Sequence, residues 1–349
     1  MLKTLKLKNY RNFDNINFCF QENKNFIIWN NWTWKTNILE AISLIYQKNL
    51  INKEISNFVK KEEKYTYIEM EKEDWKKFSI SIDKDNNKKI VSINWKSTTK
   101  NKCNDLLEKI IVFQPMDMNM MYLSPSLRRD FLDDILWNTY PQYNKINKDY
   151  KNALKNRNKL LKNIKEWKAR KEEIIFWDKI LIKNAVEIYK YRKEINDYFS
   201  ENINILKEML NFKINDIKYN YITKVDLNNV EQSLNQYITK NLDRDIIIWN
   251  TPIWPHIDDF DILLDNFSLV NFASRWETKS IILWLKIIET KFIKKITNKE
   301  IIFLIDDLFS ELDETHETLL LKEFSNSQII ITAIETKQSY NNCTNIIYL

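Results

Sequence analysis

Residues 2–7 alternate apolar and polar side chains, residues 16–20 do the same, and residues 25–28 form a short apolar run, so the N-terminal part predicts strands joined by turns. A helix is expected from Lys35 to about Gln47. Two strand pairs follow, in 71–83 ("EKEDWKKFSISID") and 90–100 ("IVSINWKSTTK"), each around a turn that contains a tryptophan. From Ser126 to about Leu210 the period changes. Apolar residues recur three and four positions apart, as in "YKNALKNRNKLLKNIKEW" (150–167), which predicts long helices, including an antiparallel pair. Beyond a mixed region to Asp245, strands are expected near 246–248 and 260–264 and a helix from about Thr278 to Lys295. The strand "EIIFLIDD" (300–307), a helix from Glu311 to Phe324 and the strand "QIIITAI" (328–334) complete the pattern. The alternation predicts an α/β fold whose parallel sheet is built from both chain ends, with a mainly helical insertion between them.

Composition changes this picture at one point. The 349 residues include 12 tryptophans and 0 glycines. At the usual frequency of roughly 7% a chain of this length carries about two dozen glycines, and none arises by chance with a probability on the order of 10^-11. Turns and helix C-caps use backbone with φ > 0, which a bulky aromatic hardly reaches. With glycine at Trp75 and Trp95, the two interrupted strand pairs read D-G-K and N-G-K, strong hairpin signals.

The net charge of +6 and pI near 8.8 are compatible with a nucleic-acid partner, but charge alone favours a lysine-rich, AT-rich coding background. Cys19, Cys103 and Cys343 are odd in number and lack C-x-x-C spacing, which argues against a disulfide framework or zinc site. "MLKTLKLKNYRNF" has no apolar signal region and no run approaches a membrane span, so a soluble, cytoplasmic protein with no membrane partner is expected.

Three segments carry candidate chemistry. "IIWNNWTWKTN" (27–37) has the outline of a P-loop, an apolar run leading into Lys35 and Thr36, with tryptophan where glycine belongs. Glycine at Trp29, Trp32 and Trp34 gives G-N-N-G-T-G-K-T-N, a strong match. Backbone N–H groups of Trp29, Asn30, Asn31, Trp32, Thr33, Trp34 and Asn37 would then cradle phosphates, Lys35 would reach the β/γ-phosphates and Thr36 would hold Mg²⁺. As tryptophans, these residues are expected to fill the phosphate cavity with indole. "IIFLIDDLFSELD" (301–313) is a Walker B pattern in which Asp306 would hold Mg²⁺ and Asp307 would position or deprotonate the attacking water. "FASRWETKSIILWLKI" (272–287) reads S-R-G-E at a helix start if Trp276 is glycine. That is the form of an ABC-type signature, in which Ser274, Arg275, Trp276 and Glu277 would contact the γ-phosphate on an opposite subunit.

With these pieces in this order, the whole chain resembles the RecF family of DNA replication and repair proteins, relatives of Rad50 and SMC heads. Supporting segments are "LKLKNYRNF" (5–13), "NILEAI" (37–42), "QPMDMNMMYLSPSLRRDFLD" (114–133), "RNKLLK" (157–162), "FWDKIL" (176–181) and "TPIWPHIDDFD" (251–261). The resemblance implies an ABC-type ATPase domain formed by residues 1–125 and 246–349, with a helical lid or arm of residues 126–245. It also implies ATP and Mg²⁺ as cofactors and, with glycine at Trp29, Trp32, Trp34 and Trp276, weak DNA-dependent ATPase activity that controls an ATP-dependent homodimer. The partners it implies are single- and double-stranded DNA at gap junctions, RecO- and RecR-type mediators and, indirectly, the recombinase RecA. Two alternatives stand beside this: a nucleotide-dead DNA-binding scaffold of the same fold, and an SMC- or Rad50-like head, which carries a far longer coiled coil.

Some positions depart from the family pattern. Met116 replaces a glutamate, Ile257 an arginine, and Thr332 stands where an ABC switch histidine would be. Gln114 is either a contact to Mg²⁺ or water, or a loop glutamine without such a role. His256 belongs to the P-H-x-D-D match and is expected to be functional, whereas His316 is expected to face solvent from a helix. Trp177 coincides with a family tryptophan. Trp29, Trp32, Trp34, Trp75, Trp95, Trp249, Trp254 and Trp276 fall on glycine or turn positions, while Trp137, Trp167 and Trp284 are undecided. The pattern is that of a gene using UGA as a glycine codon but translated with UGA as tryptophan.

Overall fold

The computed structural model describes residues 1–28, 32–46, 54–206, 216–307, 312–334 and 345–348, and of residues 32–34, 100, 101 and 118 the backbone alone. Two compact units are formed, Met1–Met118 with Ile293–Leu349, and Asn119–Phe292. Residues 119–125 and 246–292, which the family resemblance groups with the ATPase half, fall in the second of these units.

The first unit has two sheets. β1 (Leu2–Tyr10), β2 (Phe13–Cys19), β4 (Tyr65–Lys72), β5 (Lys77–Asp83), β6 (Lys88–Ile93) and β7 (Lys96–Ser97) form an antiparallel sheet in the order β2-β1-β4-β5-β6-β7. The second sheet is parallel. It comprises β3 (Lys24–Ile28), β8 (Lys109–Phe113), β12 (Ile301–Asp306), β13 (Gln328–Ala333) and β14 (Asn345–Tyr348), ordered β14-β3-β13-β12-β8. Every residue of β12 and β13 is buried, as expected of central parallel strands covered on both faces, which is why they read as continuous apolar runs. The helix Trp32–Ile45 contacts β4 and β5 of one sheet and β12 and β13 of the other. Its Ile38, Leu39, Ala41, Ile42 and Ile45 join residues of both sheets in one apolar core.

The register brings Asp306 beside Thr332, Thr332 beside Ile27 and Ala333 beside Ile28, so the carboxyl ends of β12, β13 and β3 lie together. That edge is where open α/β sheets bind ligands.

In the second unit, the helices Tyr143–Lys165 and Ile174–Glu201 form the anticipated antiparallel pair: Gln142 before the first meets Tyr191 in the second, while Arg157 meets Asp178 near the connecting loop. β9 (Ile217–Ile222), β10 (Asp259–Leu264) and β11 (Phe267–Ser268) make a small antiparallel sheet. The strand expected at 246–248 is instead the last turn of the helix Val230–Ile248. Three consecutive isoleucines carry no period that separates strand from helix, and Asp245 and Ile246 are the residues this turn buries.

Thirteen described residues have positive φ; seven are Asn or Asp, which tolerate it, one is Arg11 and five are tryptophans. Asn94 and Trp95, at φ 46° and 63°, form the two-residue loop between the paired Ile93 and Lys96. Positive φ at both loop residues defines a type I′ hairpin, the turn that favours Asn-Gly. Trp75 turns the β4–β5 hairpin at φ 60°. Trp167, at φ 60°, follows the helix Tyr143–Lys165; its N–H donates to Ile164 O, and that of Lys168 donates to Asn163 O. These two bonds are the Schellman motif, in which position 167 is the usual glycine. Trp249 closes the helix Val230–Ile248 at φ 52°, with its N–H on Asp245 O. Trp254 lies at φ 126°, far from the left-handed well near +57° that a residue with a Cβ can reach. Trp137, Trp177, Trp276 and Trp284 lie in helices, where the backbone makes no such demand.

Candidate nucleotide site

The helix expected from Lys35 begins one turn earlier, at Trp32. With tryptophan and not glycine at 32 and 34, nothing in this turn favours positive φ, and the backbone is helical from Trp32. Trp29, Asn30 and Asn31 lie outside the described residues, as do the side chains of Trp32, Thr33 and Trp34, so the expected filling of the cavity by indole falls there too. Lys35 is buried, and Thr36 and Asn37 are half-buried.

Lys35 and Thr36 face the end of β12 across 270 positions of sequence. Thr36 Oγ1 donates to Asp306 Oδ2 at 2.9 Å, and Lys35 Nζ lies 3.8 Å from Asp307 Oδ1. Both carboxylates are buried. Asp307 takes φ 45°, and its N–H is shared between Thr332 O at 3.2 Å and Thr332 Oγ1 at 3.1 Å. Thr332 Oγ1 lies 2.9 Å from Asp306 Oδ1. Gln114 directly follows β8, whose Phe113 pairs with Ile305, so it lies at the same sheet end; its N–H donates to Asp117 Oδ2 at 2.9 Å.

The donors here are hard oxygens, Thr36 and Asp306, and no group of three or more His, Cys, Asp or Glu able to hold a metal occurs among the described residues. That set fits Mg²⁺, which is commonly bound through one or two carboxylates, its remaining ligands being water and substrate phosphate.

Arg11 was not singled out by sequence. It sits at the β1–β2 turn and pairs with Glu40 of the helix Trp32–Ile45, and Tyr10 OH also donates to Glu40. No spacing rule marks such a pair, because its members come from different elements.

In the second unit, Ser274 Oγ and N–H both donate to Glu277 Oε2 at 2.7 Å, and Glu277 N–H returns a bond to Ser274 Oγ. This capping box fixes an exposed start to the helix Arg275–Thr297, with Arg275 and Trp276 open to solvent. Such a terminus is suited to an anion. Tyr122 OH bonds Thr278 Oγ1 at 2.6 Å just behind it.

His256 is enclosed. Its Nε2 donates to Thr251 O at 3.0 Å and its Nδ1 accepts from Tyr150 OH at 2.6 Å, and burial lowers its pKa to about 4. Both ring nitrogens thus brace the 251–259 segment. His316, expected in solvent, is 2% exposed. Its backbone N–H and its Nδ1 both meet Asp313 Oδ1 at 2.9 Å, because Asp313 caps the helix Glu314–Glu323 and draws the ring back over its first turn.

No protein-family model matches the chain. It is 32% identical over 351 residues to the DNA replication and repair protein RecF of Clostridium botulinum strain 657, covering 95% of this chain and 92% of that protein. The RecF of Clostridium perfringens strain SM101 is 32% identical over 355 residues, covering 97% and 95%. A solved structure of the recombination mediator protein RecF with ATPrS, in the RecFOR pathway, superposes with a TM-score of 0.86 at 26% identity over 97% of this chain and 93% of that one. An SMC head bound to a winged-helix domain, at TM-score 0.51 and 15% identity over 96% of this chain and 89% of that one, shares the fold. This is an ABC-type ATPase fold. Sequence identity along nearly the full length agrees with the pairing of Thr36 and Asp306 at the sheet's carboxyl edge, and the chain belongs to the RecF family of DNA replication and repair proteins.

Proposed function

We propose that this chain is an ATP-dependent DNA-binding protein of recombinational repair and replication-fork restart, engaging single-strand/double-strand junctions at gaps and promoting recombinase loading. The observation that carries the reading is the 2.9 Å bond from Thr36 Oγ1 to Asp306 Oδ2, which joins the two motifs a P-loop ATPase needs. Lys35 would exchange Asp307 for the β- and γ-phosphates, and residues 29–34 with Asn37 would wrap them. Thr36 and Asp306 would hold Mg²⁺, with Gln114 as a further contact to the ion or the attacking water. Bound Mg²⁺ neutralises charge on the β- and γ-phosphates. Asp307 positions or deprotonates the water.

Ser274, Arg275, Trp276 and Glu277, at their exposed helix start, would grip the γ-phosphate held by a second copy, so that ATP closes a homodimer. Residues 1–125 and 246–349 then act as the ATPase half and 126–245 as its lid or arm. Slow hydrolysis opens the dimer and releases DNA. Contacts go mainly to phosphates, so binding weakens with salt. RecO- and RecR-type mediators, and RecA indirectly, are the partners of a cytoplasmic protein. The RecF structures that superpose on this chain are named for ATP, ATPrS and the RecFOR pathway, which supports the reading. No helix among the described residues is long and apolar enough to cross a membrane.

A second reading, the nucleotide-dead scaffold, is favoured by the helix that begins at Trp32 with tryptophan in its first turn. Nucleotide binding separates the two. Protein made with glycine at the eight motif and turn tryptophans binds ATP and loses it on Lys35→Ala; absence of binding in the parent sinks the enzyme reading.

A further inference from the structure

Thr332 is the one hydroxyl residue in the run "QIIITA" of β13, fully buried between β12 and β3. Ile329, Ile330 and Ile331 already supply the apolar burial of this strand, and a hydroxyl in such a place is costly unless it is hydrogen-bonded. Its partners are the two acidic residues of the site. Thr332 Oγ1 lies 2.9 Å from Asp306 Oδ1 and 3.4 Å from Ile305 O. A hydroxyl has one proton, and the shorter, charge-assisted contact takes it, so Oγ1 donates to Asp306. A lone pair on the same oxygen accepts the N–H of Asp307 at 3.1 Å.

Two consequences follow for the site. With Oδ1 of Asp306 engaged by Thr332, Oδ2 is the atom turned toward Thr36 at 2.9 Å, so the carboxylate plane is fixed by one hydroxyl on each side. Asp307 takes a left-handed backbone at φ 45°, a conformation aspartate tolerates, and is held there by its N–H on Thr332. That conformation aims its carboxylate at Lys35.

We propose that Thr332 is a positioning residue of the nucleotide site, orienting the Mg²⁺-holding oxygen of Asp306 and the backbone of Asp307 from the neighbouring strand. The inference rests on the nucleotide reading above. Its hydroxyl acts through the two carboxylates and touches neither nucleotide nor metal.

The test uses the full chain with glycine at the eight motif and turn positions. It compares this parent with Thr332→Val, Thr332→Ala and Thr332→Ser by binding of a fluorescent ATP analogue across a Mg²⁺ titration and in EDTA. Loss of the hydroxyl in the Val variant raises the Mg²⁺ concentration for half-maximal binding by about tenfold or more, the usual cost of removing a partner of a metal ligand, and leaves binding in EDTA unchanged. The Ala variant gives the same shift if Val does not fold, and Ser restores the parental value. An unshifted Mg²⁺ dependence in Val or Ala, or an equal shift in Ser, overturns the proposal. A parent that binds no ATP overturns the nucleotide reading and this inference together, whereas a binding parent with unshifted variants overturns this inference alone.

Discussion

Arg128 grips Asp259 with two parallel bonds, Nε to Oδ1 at 2.7 Å and Nη2 to Oδ2 at 2.8 Å, while its Nη1 donates to the carbonyls of Met120 and Met121. One guanidinium thus ties the "MMYLSPSLRR" turn to the start of β10. Lysine has no planar fork and cannot satisfy these acceptors together. Arg128→Lys is expected to lower unfolding free energy by about 1 to 3 kcal/mol, read from urea denaturation, with Arg128→Ala lower still. A Lys variant as stable as the parent would show that the fork carries no weight.

His256 gives a pH dependence of definite sign. Burial holds its ring neutral, with a pKa lowered from 6.5 to about 4. Between these values the unfolded chain takes up a proton that the folded chain refuses, so the stability this group contributes is full above 6.5 and is lost progressively down to about 4. The loss amounts to about 3 kcal/mol at its limit. His256→Gln should flatten this part of the profile when urea midpoints are compared at neutral and mildly acidic pH. A variant that retains the full slope would assign it to other groups.

Much of the candidate nucleotide site was legible because its signals are local. β12 and β13 announce themselves by unbroken apolar runs, and Lys35-Thr36 and Asp306-Asp307 by their position at the ends of such runs. What sequence could not give was pairing. Nothing in the spacing says that Thr332 answers Asp306, that Arg128 answers Asp259, or that His316 folds onto Asp313, since those contacts are set by register and capping geometry. Residues 246–248 were misread for a related reason: an isoleucine triplet is compatible with either regular structure until Asp245 is seen to face Arg157.

The two neighbouring carboxylates should separate by variant. Asp306 faces Thr36 and would hold Mg²⁺, while Asp307 lies nearest Lys35 and would act on water. In glycine-containing protein, Asp306→Asn is expected to lose Mg²⁺-dependent ATP binding. Asp307→Asn should keep ATP binding and dimerisation while hydrolysis falls by about 100-fold, leaving the ATP-bound dimer long-lived in size-exclusion chromatography. Equal loss of binding in both would place both carboxylates on the metal.

The backbone sharpens what the missing glycines mean. Trp75, Trp95, Trp167, Trp249 and Trp254 occupy positive φ, and four of these five fall on glycine or turn positions of the family pattern. Trp167 is the informative fifth, since no motif marked it and the Schellman bonds of Lys168 and Trp167 now do. The gene is expected to carry UGA at all five positions, and protein from the native source to be lighter, at each, by the difference between an indolylmethyl group and a hydrogen in intact-mass spectra. In the tryptophan-containing chain, Trp167→Gly removes a Cβ clash at the helix end. It should raise stability by about 1 kcal/mol, although glycine inside a helix would lower it. The 95% exposure of Trp167 means that little burial is lost in exchange. A UGG codon at 167, or a destabilised Trp167→Gly variant, would show that tryptophan is native there and that the left-handed turn is tolerated.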